Sequence, residues 1–346
     1  MKNSACWLAV MAGTMASMLS GAAQAQTPSC APLHILNSVN LLPVPGENTM
    51  MVPVTINGAA RKLLVSTGTP VGQVSAATVR ELQLPEFEKV DFNQLRAVDV
   101  RGAVKTDAAR VRVSTTSFGM GSVNGSGIQF QIAADPELGK AKPYDGYLGM
   151  DLFKLYDLDM DFGAHRLNYF DSFHCPAQVV YWPHDSVAVV AMERVDDQII
   201  VPVTIDGRSI DAVIDTGASR TTMRRGIGES RFGVREGKDM VPVEGLRDSK
   251  GQQVFSHVFA SLGFAGVAVK NLNVLLQNNK LVADPEADQM RLGSHATTKG
   301  SMPDLVIGMD VLSRLHMYVA FNEGKLYVTP AGTGESVLFK NAEPAK

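Results

Sequence analysis

An all-β chain of two lobes built by internal duplication is what this sequence predicts, and three observations carry the prediction. Val201 to Ser219 reads VPVTIDGRSIDAVIDTGAS, two apolar runs with period-two alternation around an Asp-Gly pair. Val52 to Gly68 reads VPVTINGAARKLLVSTG and lies on it at a shift of 149 positions, with Val52, Pro53, Val54, Thr55, Ile56, Gly58, Thr67 and Gly68 repeated identically. An apolar-Gly-Met-Asp element follows each copy, first as Tyr147-Leu148-Gly149-Met150-Asp151 and then as Val306-Ile307-Gly308-Met309-Asp310. Two long copies make two lobes; a solenoid would need several shorter units.

Taken in order, Met1 to Ala25 reads as a secretory signal. Lys2 leads into the apolar stretch Trp7 to Leu19, too short to span a bilayer, and Ala23-Gln24-Ala25 is an A-x-A cleavage site. The mature chain would begin at Gln26, without a membrane anchor, in the periplasm or outside the cell. It would hold Cys30 and Cys175, and in an oxidising compartment two cysteines suggest one disulfide. Unpaired thiols are the alternative. The expected divisions are 1–25 leader, 26–172 first lobe, 173–190 linker, 191–332 second lobe and 333–346 flexible tail.

Thirty-two basic residues face 35 acidic ones in 346, with no basic cluster, which argues against nucleic acid and anionic membranes as partners. Asp206-Gly207 is a hairpin signal, because both positions tolerate the positive φ of a tight turn. Ser75 to Leu84 reads as a short helix with Ser75 as N-cap. Ala134 to Glu137 recurs as Ala283 to Glu286, and Met290 to Pro303 reads as an insertion loop of the second copy. Short helical turns are expected after Leu152 and Val311, and Gly102 and Gly251 read as hairpin tips. Each copy ends in two strands joined by a turn, Leu158 to Tyr169 and Met317 to Val328.

Asp157-Leu158-Asp159-Met160-Asp161 opens like a calcium loop. Phe162 stands where that loop needs glycine and Asn168 where it needs glutamate, so a strand with one wet, acidic face is expected instead. The seven histidines show no ligand spacing, and neither metal nor cofactor is expected.

The second hairpin delivers Asp215 into the loop Asp215-Thr216-Gly217-Ala218-Ser219, and a carboxylate at the end of a buried strand is costly unless it is bonded or used. The first copy has Ser66-Thr67-Gly68-Thr69 in its place. With the duplicated Gly elements, these loops make the chain resemble the pepsin-like and retropepsin-like aspartic peptidases over nearly all of its mature length. The resemblance implies two β-barrel lobes around a cleft that takes an extended peptide or protein substrate. It implies Thr67 and Thr216 hydrogen-bonded across the loops, and Asp215 as the proton-transfer group.

That chemistry ordinarily uses two carboxylates sharing one proton, one acting as base towards water and the other as acid towards the carbonyl oxygen. Ser66 occupies the partner position, and a hydroxyl is a poor base. Four readings follow. The chain could be an aspartic-type endopeptidase of weak or unusual activity, with Asp215 as base and Ser66 orienting the water. It could be an inactive peptide-binding or scaffolding protein. Two chains could pair their Asp215 residues, although the linked first lobe already occupies that face and a monomer is expected. Finally, Asp215 could serve only to cap backbone amides.

Overall fold

The computed structural model describes residues 30–89, 111–133, 138, 142–248, 251–278 and 303–332. The leader, the Ala134 to Glu137 repeat with its second copy, Gly102, the tail and nearly all of the Met290 to Pro303 insertion lie outside the described residues. Among the described residues the chain is predominantly β-strand with four short helices, arranged as two barrel-like lobes on a shared six-stranded sheet.

The repeated hairpins form as their pattern dictates. Met50–Ile56 pairs antiparallel with Ala59–Val65, and Gln198–Ile205 with Arg208–Ile214. Their turns are Asn57-Gly58, with φ of 50° and 80°, and Asp206-Gly207, with φ of 47° and 77°. Val52, Val54 and Ile56 are buried while Pro53 and Thr55 face out, and Val201, Val203 and Ile205 repeat the arrangement.

Each hairpin then joins a strand from the Gly element in parallel. Gly146–Leu148 lies along Ala59–Val65, and Leu305–Ile307 along Arg208–Ile214. In the second lobe the sheet closes on itself where Thr204 and Ile205 pair with Gly263 and Leu262. Thr55 and Ile56 pair with Gly119 and Phe118 at the matching place in the first lobe. At both pairings a threonine side chain lies over the glycine: a Cβ on Gly119 would lie 2.4 Å from Thr55 Oγ1, and one on Gly263 would lie 2.6 Å from Thr204 Oγ1. The repeated Thr-Ile pair thus meets a glycine-bearing strand in both lobes, and in the second lobe that pairing closes the sheet.

The expected helix is present as Ala76–Glu81, with the Ser75 hydroxyl accepting the Thr78 N–H at 3.0 Å as N-cap. The later helical turns begin earlier than the sequence suggests, at Met150–Phe153 and Met309–Leu312. The Met-Asp pair is itself the first turn, because Gly149 and Gly308 remain extended and serve as the N-caps. Gly251 sits at a tip, with φ of 74°, between Val241–Arg247 and Gln253–Phe264.

The shared sheet runs Ile35–Asn40, Arg166–Phe170, Asp157–Asp161, Leu315–Ala320, Lys325–Pro330 and Ala188–Ala191. Its centre is the antiparallel pairing of Asp157–Asp161, from the first copy, with Leu315–Ala320, from the second. Both strands are buried along their whole length, so the expected wet face does not exist. The reason is pairing. Asp159 accepts from His316 Nε2 at 2.5 Å, from Asn168 Nδ2 at 2.8 Å and from the Tyr181 hydroxyl. Asp157 accepts from His174 Nε2 at 2.7 Å and from the Phe321 N–H at 3.0 Å. Burial still raises the Asp157 carboxyl above its ordinary value, against the pull of His174.

The stretch between the lobes packs rather than dangles: Val179 and Trp182 are buried, and the Trp182 ring stacks on His316 with centroids 3.7 Å apart. Cys30 and Cys175 are joined as a disulfide across 145 residues, tying the start of the described chain to this region. Removing a hydrogen-bond donor from a buried carboxyl leaves it short of a partner. We therefore expect His316→Leu to lower the unfolding free energy by about 1 to 3 kcal/mol, read from denaturant midpoints. A loss below about 1 kcal/mol would mean that Tyr181 and Asn168 suffice to hold Asp159.

Candidate active site

Two loops meet where the repeated hairpins end. Each is shaped by its own lobe in the same way. Ser66 N donates to Leu148 O at 3.1 Å, and Asp215 N to Ile307 O at 3.0 Å. The Met150 N–H reaches Thr69 O at 2.8 Å, and the Met309 N–H reaches Ala218 O at 2.8 Å. Gly149 and Gly308 lie against these loops so closely that a Cβ would meet backbone at 2.7 and 2.6 Å. That close approach is why the element after each apolar pair must be glycine.

The acids that follow pin the far side of each loop. Asp151 Oδ1 accepts the Gly72 N–H at 2.9 Å, and burial raises its pKa. Asp310 Oδ1 accepts the Thr221 N–H at 2.8 Å and the Thr221 hydroxyl at 2.7 Å. Sequence reasoning recorded these two acids as part of a repeat without giving them a role. Their signal was available: an acid in the first turn of a helix that follows a glycine.

Between the lobes the two threonines cross. Thr67 N donates to Thr216 Oγ1 and Thr216 N to Thr67 Oγ1, each at 3.1 Å. Each hydroxyl then donates to the strand beneath the opposite loop, Thr67 to Ile214 O at 2.7 Å and Thr216 to Val65 O at 2.9 Å. Both residues are buried, and every polar atom in the exchange has a partner. Asn48 adds a contact at the rim, its N–H donating to Ser219 Oγ and its Nδ2 to Ser219 O, both at 3.3 Å.

Asp215 and Ser66 face one another across this crossing. Asp215 Oδ1 accepts the N–H of Gly217 at 2.8 Å, the N–H of Gly68 at 3.0 Å and the Ser66 hydroxyl at 3.4 Å. Ser66 Oγ is also bonded to Thr69 Oγ1 at 2.8 Å. The arrangement is asymmetric in one respect. Gly217 donates to the acid of its own loop, whereas Gly68, its counterpart, has no acid at Ser66 and donates across to Asp215. One carboxylate oxygen therefore collects the donors of both loops.

Both glycines are sterically required. A Cβ on Gly68 would lie 2.2 Å from Asp215 Cγ, and one on Gly217 would lie 2.3 Å from Ser66 Oγ. Asp215 remains partly exposed at the surface, yet burial of its carboxyl is the largest influence on it and pushes its pKa above the ordinary 3.8. The N–H groups of Gly217 and Gly68 and the Ser66 hydroxyl pull the other way without cancelling the shift.

The sign of that shift fixes a stability prediction. An acid whose pKa is raised on folding contributes stability at low pH that is lost as pH rises through the folded value. Asp215→Asn removes the cost of ionisation, so its stability relative to the parent should increase between about pH 4 and pH 7 and be near the parent's around pH 3. Thermal unfolding across that range measures it; a variant that loses stability equally at every pH would show that burial does not govern Asp215.

No cluster of His, Cys, Asp and Glu able to hold a metal occurs among the described residues. The chain has no match among curated proteins. Residues 201–311 match the family model described as aspartyl protease, a span running from the second hairpin through Asp215 to the Gly308-Met309-Asp310 turn. In its hairpin, acid loop and Gly element, taken in that order, the second lobe is similar to the aspartyl proteases.

Proposed function

We propose that this is an exported aspartic-type endopeptidase-like protein whose cleft holds an extended peptide and whose site works with one carboxylate, Asp215. The observation that carries this reading is the meeting of Asp215 and Ser66 across the crossed threonines, 3.4 Å apart. In that geometry Asp215 exchanges the proton with water and Ser66 orients the water. A neighbouring serine carries no charge to split the titration of the pair, so the division of labour between base and acid is weakened. Correctly placed acid–base groups contribute about 10² to 10⁴ in rate, and turnover should fall short of a two-acid site by an amount of that order.

A second reading, a peptide-binding protein without turnover, draws support from the same oxygen. Asp215 Oδ1 is already engaged by three donors, and binding by sheet-edge pairing needs backbone groups rather than an acid.

Cleavage of a diverse fluorogenic peptide library from acidic to neutral pH separates the two. We expect weak cleavage by the parent protein, none by Asp215→Asn, and a gain of about 10²-fold or more in Ser66→Asp, because that variant restores a second carboxyl opposite Asp215. A silent parent with an active Ser66→Asp variant would assign the natural protein to peptide binding. A rate per chain independent of protein concentration supports a self-contained site, and a rate that rises with concentration favours paired Asp215 residues. Export predicts a mature N-terminus at Gln26 when the whole gene is expressed, read by intact mass; retention of Met1 would overturn it.

A further inference from the structure

Gln198 opens the second-lobe hairpin at the position matching Thr49 of the first, and it is 2 % exposed. Its Nε2 donates to Gly68 O at 2.9 Å, across the boundary between the lobes. A carbonyl can only accept, so the amide must present its NH2 group there. Its Oε1 is then left buried without a partner among the described residues. An unsatisfied buried acceptor costs about 1 to 3 kcal/mol, and a residue that bears such a cost needs an explanation.

The missing acid supplies one. Gly217 is held by a bond within its own loop, from its N–H to Asp215. Gly68 has no such tether, because the side chain at 66 is a hydroxyl bonded to Thr69 and Asp215. Gln198 grips Gly68 from the other side, through its carbonyl, while the Gly68 N–H points at Asp215 Oδ1. The glycine is thereby fixed from both ends of its residue by groups of the second lobe.

We infer that Gln198 is a positioning residue that replaces the tether lost with the first-lobe acid and keeps the Gly68 N–H on Asp215. This inference deepens the single-carboxylate reading, but its test does not depend on cleavage. Gln198→Met preserves length and apolar packing while removing the donor. The readouts are the Gly68 amide resonance and the Asp215 side-chain carbon titration, assigned through Asp215→Asn. The groups meeting Asp215 are the Gly217 and Gly68 N–H and the Ser66 hydroxyl, so loss of one raises the pH at which it titrates.

We expect an upward move of about half to one pH unit and a displaced Gly68 resonance in the folded variant. The same substitution in a Ser66→Asp background should perturb the Gly68 resonance less than half as much, because an acid at 66 offers that N–H a bond within its own loop. An unmoved Asp215 titration in folded Gln198→Met would overturn the inference, and so would an equal Gly68 displacement in both backgrounds. If Gln198→Met does not fold, Gln198→Leu supplies the arms: it is uncharged, cannot donate, and should show the same displacement. Failure of the peptidase reading would appear as silence in the cleavage assay with these effects intact.

Discussion

The exchange of hydrogen bonds between Thr67 and Thr216 is the constraint on which the site depends. Each hydroxyl accepts an N–H from the opposite loop and donates to a carbonyl beneath it, so two hydroxyls satisfy four backbone groups in a dry interior. A network of this kind is favourable only when complete, since any unpaired member would carry its full desolvation cost. The exchange sets how far apart positions 66 and 215 lie. It is indifferent to what those positions hold, which is how the first loop keeps its shape without its acid.

The shared sheet supplies the second constraint. Strands from both copies pair in antiparallel register at its centre, and the acids of the first-copy strand meet partners from the linking segment and from the second copy. Paired and hydrogen-bonded carboxylates can be buried where isolated ones cannot. Each lobe therefore leaves one edge of its base to be completed by the other. The disulfide between Cys30 and Cys175 and the packed segment around Trp182 hold the back of this sheet.

Much of this was legible in the sequence. The duplication gave both hairpins, the turn types and the Gly elements, because period, turn chemistry and glycine requirement are local properties. Ser75 as a cap was legible for the same reason. The burial of Asp157, Asp159 and Asp161 was not: an alternating acid and apolar strand reads as half-solvated, and the hydrogen-bonding partners His174, Tyr181 and His316 come from the linking segment and from the second copy. Gln198 was invisible for a different reason. Its role exists only because position 66 lacks an acid, and its counterpart Thr49 gave no pattern to compare.

The ring stack at the back of the molecule makes the protein its own probe. The sequence contains two tryptophans, Trp7 and Trp182, and a chain that starts at Gln26 retains only the second. Trp182 lies nearly parallel to His316, with 12° between the planes, and its Nε1 donates to Thr329 Oγ1 at 2.9 Å. Indole emission is quenched by a stacked imidazole and shifts to the red on contact with water. The natural fluorescence of a chain that starts at Gln26 would therefore report one place, the seam where the two copies share a sheet, and would follow parting of the lobes without any added label.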